Sequence, residues 1–261
     1  RIRKLAAFTE SPQDYDQIHY HVGNSSYHEY MLEPMEQFPG IVTVHDFSLS
    51  GLMTGMMAKE FVAGNIGGLE ETIYFNHGYD AIEELKQTVD VNKFAEKFPL
   101  CLSALKCAQK LIFHTNITQS LARNWSPGEL VDHSTIIPLL KPTPELITRD
   151  EARKKLGIAE DKILIVSFGI VSYKKANREV VDAWASLNSK SELVLAGSEP
   201  DNTYLKSLNK TLPDSHTSRF KITGWLSEEM YRLYLNAADI AIQLRTLDTG
   251  ETSAAAIDCL A

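Results

Sequence analysis

The 261-residue sequence is 44% hydrophobic and 23% charged, the balance of a globular protein with enough apolar residues for a full core, and its length suits two domains of ordinary size. A formal net charge of −8 argues against a surface that binds nucleic acid by neutralising phosphates, while leaving room for a basic cleft around a small phosphorylated ligand. Cys101, Cys107 and Cys259 are too scattered for a disulfide framework or a zinc ribbon; no apolar run spans a bilayer and no signal peptide is visible, so a cytoplasmic location is expected.

In chain order, short runs rich in Val and Ile alternate with stretches of helical periodicity. The first half reads as strand 17–22, helix 27–37, strand 41–45, helix 98–107, strand 110–114, helix 117–123 and strand 134–137. Pro138, Pro142 and Pro144 then break the pattern, since three prolines in seven residues fit neither a helix nor a central strand. A helix at 150–156, closed by Gly157, opens a second series: strand 163–168, helix 176–187, strand 192–196, helix 201–209, strand 219–222, helix 227–236, strand 240–244 and helix 251–260. Continuous apolar strands separated by helices predict an α/β fold with parallel sheets in two Rossmann-like domains, 1–141 and 142–261. Neither series looks whole. The first lacks a glycine-rich opening βα turn, and the second stops at Ala261 without a cap, so both domains are expected to be truncated.

Chemistry-bearing residues gather at strand ends. Strand 163–168 is followed by Gly169, which lets an anion approach the backbone, and by Lys174 and Lys175, which add positive charge or form an ordinary solvated loop. Arg245 follows strand 240–244, and the loop after it delivers Gly250 and Glu251 to the expected helix 251–260. Glu251 there either complements the helix dipole or, with Asp258 two turns on, reaches successive hydroxyls of an extended ligand. His45-Asp46, at the end of strand 41–45, is a candidate proton donor or orienting pair. His19, His21 and His28 lack metal-ligand spacing, so no metal site is expected. Asp14 and Asp16 precede a strand rather than closing one and are set aside. Gly64 to Gly68 reads as a loop, and the aromatic stretch 74–79 as part of an acceptor-facing insertion.

The run from Asp239 to Arg245 followed by Gly250-Glu251-Thr252-Ser253 and Asp258 resembles the glutamate-x7-glutamate motif of the group 1 (family 4) retaining glycosyltransferases of the GT-B fold. Ser167-Phe168-Gly169, Leu193 to Gly197 and Ile222 to Met230 fall in that family's order, as do His19 to Asn24, Val44-His45-Asp46 and Leu111 to Thr115 in the first half. The resemblance implies transfer of a sugar from a nucleoside-diphosphate sugar to an acceptor hydroxyl with retention, without metal or cofactor. The acceptor would be a glycan or lipid-linked molecule, with peripheral membrane contact compatible and no nucleic-acid partner. It places His45 by the transferred sugar, Glu251 at the donor sugar or its phosphates, and Asp258 at the ribose hydroxyls. Gly169, Lys174, Lys175, Gly224, Trp225, Arg245, Gly250, Thr252 and Ser253 join the donor side, and Gly23, Asn24 and Asp46 the acceptor side. Two departures stand out: Ile170 occupies a position where the family often has arginine, and the second acid is the shorter Asp258. A sugar-nucleotide epimerase and a non-catalytic binding or scaffold module of the same fold are the alternatives.

Overall fold

The apolar runs become eight strands among the residues that the computed structural model describes, 5–62, 66–88, 91–126, 128–141, 147–187, 190–198, 202–210 and 212–261. The expectations placed on Gly64, Pro142, Pro144 and Asp201 lie outside the described residues. The strands β1 (His19–Val22), β2 (Gly40–Val44), β3 (Ala108–Phe113) and β4 (Thr135–Ile136) form one sheet in the order β1-β2-β3-β4. A second sheet contains β5 (Leu164–Phe168), β6 (Glu192–Ala196), β7 (Phe220–Ile222) and β8 (Ile240–Ala241) in the order β7-β6-β5-β8. Every pairing in both sheets is parallel.

The chain divides into two units, Arg1–Leu139 with Thr249–Thr252, and Leu140–Asp248 with Ser253–Ala261. In the first, Val22, Val44, Leu111 and Phe113 pack against Met35, Leu105 and Ala122. Side chains alternate along a strand, so His21, Thr43, His45 and His114 face the other way. In the second unit all five residues of β5 are buried. Val166 and Phe168 meet Leu233 and Tyr234 on one side, while Ile165 meets Val180 and Trp184 on the other. Burial on both faces is why this strand reads as an unbroken apolar run.

Local chemistry sets the helix ends. Thr148 and Glu151 form a reciprocal capping box at the start of the helix Arg149–Leu156, and Gly157 closes it with φ +71°. The helix Asn116–Trp125 is capped by the Thr115 hydroxyl, which accepts the Thr118 backbone N–H at 3.1 Å.

Several elements differ from the sequence reading. Four helices, Ser50–Val62, Ile66–His77, Tyr79–Gln87 and Val91–Lys97, fill a stretch where no element was expected, and Gly67 and Gly68 lie in the second of them rather than in a loop. They surround a satellite core of Met53, Ile73, Ile82, Phe94, Phe98 and Leu100. The expected helix 98–107 begins only at Leu102, because Leu100 takes the left-handed φ of +49°. The expected helix 27–37 opens as a 3-10 turn, Ser26–Met31, before becoming α-helical over Leu32–Gln37. Strand 240–244 pairs only over Ile240–Ala241.

The correction with most consequence concerns 251–260, where the helix runs only over Ala254–Leu260. Gly250 is left-handed at φ +67°, and the Ser253 hydroxyl caps the helix by accepting the Ala256 N–H at 3.2 Å. Glu251 therefore precedes the helix, and the two-turn spacing expected between it and Asp258 does not exist.

The second unit also encloses a fully buried cation. Arg153, 1% exposed, donates to the carbonyl oxygens of Ala237, Ala159, Glu160 and Lys162 and to Asp239 Oδ2 at 2.6 Å. Asp239 also accepts the Leu164 N–H at 2.7 Å and pairs with Arg149. Desolvation pushes its pKa up, but the Leu164 and Arg149 hydrogen bonds and the two arginine charges outweigh it and hold the carboxyl below its usual value. One side chain thus joins the helix Arg149–Leu156, the start of β5 and the turn before β8. Arg153→Met removes those bonds and leaves buried acceptors unpaired, so denaturant unfolding of the second unit should show a loss of about 3–5 kcal/mol; a loss of less than about 1 kcal/mol would contradict this role.

Candidate functional site

Two strand ends of the second sheet meet without side chains between them. A Cβ built on Gly197, just beyond β6, would lie 2.0 Å from the Gly169 carbonyl oxygen, just beyond β5. The approach is held by the Gly169 N–H donating to Ala196 O at 3.0 Å and the Val171 N–H to Ser198 O at 2.9 Å. Gly169 has φ +109°, and the Lys175 ammonium lies 3.2 Å from where its Cβ would stand. The charge therefore covers the bare backbone turn. Lys175 reaches this position because Tyr173–Lys175 form a 3-10 turn, and buried Asn177 accepts the Ser172 N–H at 2.9 Å. Lys174 instead lies 6.0 Å from the Tyr173 ring centre.

This turn opens onto a cavity of about 360 Å³ lined by Gly169, Ile170, Gly197, Trp225, Glu228 and Tyr231, among others. Gly224, at φ +71°, lets the chain turn after β7 so that Trp225, 86% exposed, borders the cavity. The carboxyl edge of a parallel sheet, a bare glycine turn, a lysine and an aromatic face together suit a phosphorylated ligand with a flat ring.

Asp258 stands one side chain behind the cavity. Its Oδ1 pairs with Lys141 at 3.0 Å, and its Oδ2 accepts the Tyr231 hydroxyl at 3.0 Å. Burial, reinforced by Asp258, pushes the Tyr231 phenol well up, so it remains a hydrogen-bond donor. Arg245 Nη1 donates to the Leu244 carbonyl at 3.1 Å, and the neighbouring Thr246 N–H donates to Lys174 O at 3.1 Å, joining the loop after β8 to the lysine turn. Ser253 is occupied as the helix cap.

Gly250, Glu251 and Thr252 group with the first unit. The Thr118 hydroxyl donates to Gly250 O at 3.0 Å, and a Cβ on Gly250 would lie 2.8 Å from Leu121 Cδ1. Glu251 is exposed, while the Thr252 hydroxyl is buried without a hydrogen-bond partner among the described residues. Gly169, Lys175, Gly224 and Trp225 gather at one turn and one cavity of the second unit.

The acceptor-side candidates form a tight knot at the ends of β1 and β2. Asp46 Oδ2 accepts the Asn24 N–H at 2.8 Å, and Asn24 Oδ1 accepts the Leu52 N–H at 2.9 Å at the start of the helix Ser50–Val62. A Cβ on Gly23 would lie 2.7 Å from His28 Cε1 and 3.1 Å from Asp46 Oδ2. His45 has both ring nitrogens engaged by other histidines, Nε2 with His21 Nδ1 at 3.1 Å and Nδ1 with His114 Nε2 at 2.9 Å. Among the described residues no group of three or more His, Cys, Asp or Glu could hold a metal ion.

Sequence reading passed over Gly197, Tyr231, Lys141 and His114 as site residues. The position of Gly197 directly after a strand was the available signal, whereas the Lys141–Asp258 pair spans 117 positions and had none.

Residues 148–253 match the family Glycosyl transferases group 1. The sucrose-phosphate synthase of Thermosynechococcus elongatus is similar in structure at a TM-score of 0.59 and 14% identity, covering 98% of this chain and 56% of its own. HepE of Anabaena, solved in complex with UDP-glucose, is similar at a TM-score of 0.51 and 13% identity, covering 89% of this chain and 60% of its own. The fold of this chain is thus GT-B, with two parallel four-stranded sheets, and the chain spans less than two thirds of the length of either structure. No curated protein matches the chain by sequence. Among the described residues no helix is long and apolar enough to cross a membrane.

The histidines yield a pH prediction. Burial, then the neighbouring His114, His21, His28 and His19, lowers the His45 pKa to about 4, and burial lowers that of His77 to about 4. An unfolded histidine titrates near 6.5, so between these values the unfolded chain binds more protons. The stability contribution is complete above about 6.5 and is lost as pH falls toward about 4. NMR titration should place both midpoints near 4; midpoints at the ordinary histidine value would contradict the burial.

Proposed function

We propose that the protein transfers a sugar from a nucleoside-diphosphate sugar to an acceptor hydroxyl, with retention at the anomeric carbon and without a metal ion. The observation that carries the reading is the Gly169–Gly197 turn with Lys175 over it, opening onto the cavity bordered by Trp225. An ammonium placed over this bare turn stabilises the negative charge that develops on a departing diphosphate. The match over residues 148–253 supports transferase chemistry at this edge. HepE was solved with UDP-glucose, which makes that donor the first to test.

In this reading the Trp225 side of the cavity receives the base and the Gly169 turn the diphosphate. Asp258, oriented by Lys141 and Tyr231, keeps spare lone pairs for a ribose hydroxyl. Glu251 is the proposed contact to the donor sugar, with Arg245, Thr252 and Ser253 beside it in sequence. The acceptor is a glycan or a lipid-linked sugar. A second reading, nucleotide binding without transfer, is favoured by Ile170, an exposed apolar side chain at the cavity where the family resemblance expects arginine.

Calorimetric titration with UDP, GDP and ADP separates these outcomes from a protein that binds none of them. Gly197→Ala forces a methyl against Gly169 O and should weaken the preferred nucleotide at least about tenfold with the circular dichroism unchanged, a loss of about 1.4 kcal/mol. Glu251→Ala should retain nucleotide binding while UDP-glucose consumption falls at least about a hundredfold, or about 2.7 kcal/mol, and a chelator should leave the wild-type rate unchanged. Undiminished consumption by Glu251→Ala would remove Glu251 from the mechanism; binding without any consumption would establish the second reading.

A further inference from the structure

The hydrogen bonds around His45 decide which nitrogen of each ring carries its proton. His114 Nδ1 lies 2.7 Å from the carbonyl oxygen of Ile137. A carbonyl only accepts, so Nδ1 is the N–H and, in the neutral ring, Nε2 holds the lone pair. That Nε2 is 2.9 Å from His45 Nδ1, so His45 donates through Nδ1 and holds its own lone pair on Nε2. His45 Nε2 is 3.1 Å from His21 Nδ1, so His21 donates in turn and is left with a lone pair on Nε2. One backbone carbonyl therefore sets three tautomers. His19 stacks on His21 with ring centres 4.5 Å apart, and its Nε2 lies 2.7 Å from Thr43 Oγ1, which fixes the plane of the His21 ring.

We infer that His21 Nε2 is the hydrogen-bond acceptor that this sheet edge offers to a hydroxyl-bearing ligand, and that His45 and His114 are positioning residues that act through it. His45 cannot take this role without losing one of its two histidine partners. His21 is exposed, and no hydrogen bond to its Nε2 occurs among the described residues. The groups facing the chain keep it neutral. Burial comes first, and His19, His28 and His114 then disfavour a positive charge on His21, whose pKa is lowered. The Asp46 carboxylate at the same edge accepts the Asn24 N–H. A neutral imidazole lone pair accepts a hydrogen bond from a hydroxyl and has no donor to offer an anion. This assignment holds whichever nucleotide the second unit binds.

Two-bond proton–nitrogen spectra of the protein labelled with 15N-histidine read the tautomers directly at neutral pH. The expected result is an Nδ1–H form for His114, His45 and His21; an Nε2–H form of His45 overturns the chain. In His114→Phe, His45 should lose its fixed tautomer, and an unchanged Nδ1–H form would show that Ile137 does not set the direction. Should that variant fail to fold, diethyl pyrocarbonate on the wild type serves in its place, since it acylates available imidazole lone pairs. His21 should be modified ahead of His45 and His114, and the reverse order contradicts the assignment. In the same spectra glucose should move the His21 Nε2 resonance and inorganic phosphate should not; a shift with phosphate alone, or with neither probe, overturns the hydroxyl ligand.

Discussion

Between Gly169 and Gly197 two neighbouring strands of a parallel sheet end with their backbones so close that a methyl on the second would lie 2.0 Å from the carbonyl oxygen of the first. Everything on that edge is arranged around this approach. The β5–β6 register, which sets Phe168 against Ala196, delivers both glycines to one level. The Gly197 N–H is held by the Thr223 hydroxyl at 3.1 Å, which ties the end of β7 to the same point. With no side chain in the way, a ligand can reach peptide groups directly, and the Lys175 ammonium supplies charge where the backbone is bare.

Charge elsewhere in the second unit is spent on holding shape. Buried Arg153 pairs with Asp239 at the surface and donates to four carbonyls around the start of the sheet. Lys141 and Tyr231 hold Asp258 from two sides. In the first unit the polar edge carries a run of imidazoles linked through alternate nitrogens beside the Asp46 carboxylate. One edge thus suits an anion and the other a hydroxyl, the two chemistries that a donor phosphate and a sugar acceptor present.

Much of this was legible in the sequence because parallel strands buried on both faces leave continuous apolar runs, as 163–168 does, and because Gly169 directly follows one. Thr148, Glu151 and Gly157 mark a helix by local hydrogen bonding alone. What escaped depended on tertiary context or on single backbone angles. The helices between Ser50 and Lys97 pack among themselves, and the first carries Gly51 and Gly55, so its sequence shows no clean polar face. The helix at the end of the chain was misplaced by three residues because Gly250 adopts a left-handed angle and packs against Leu121, Phe47 and Thr118, more than a hundred positions away. His45 was legible as a strand-end histidine, but its partners His21 and His114 lie 24 and 69 positions off.

The bare turn at Gly169 and Gly197 is the proposed diphosphate site. A crystal structure of the protein with UDP tests it most directly. Phosphate oxygens are expected at hydrogen-bond distance from the Lys175 ammonium, over the Gly169 turn, with the uracil ring on the Trp225 side of the cavity. A diphosphate bound elsewhere, with this turn and cavity filled only by solvent, would contradict it.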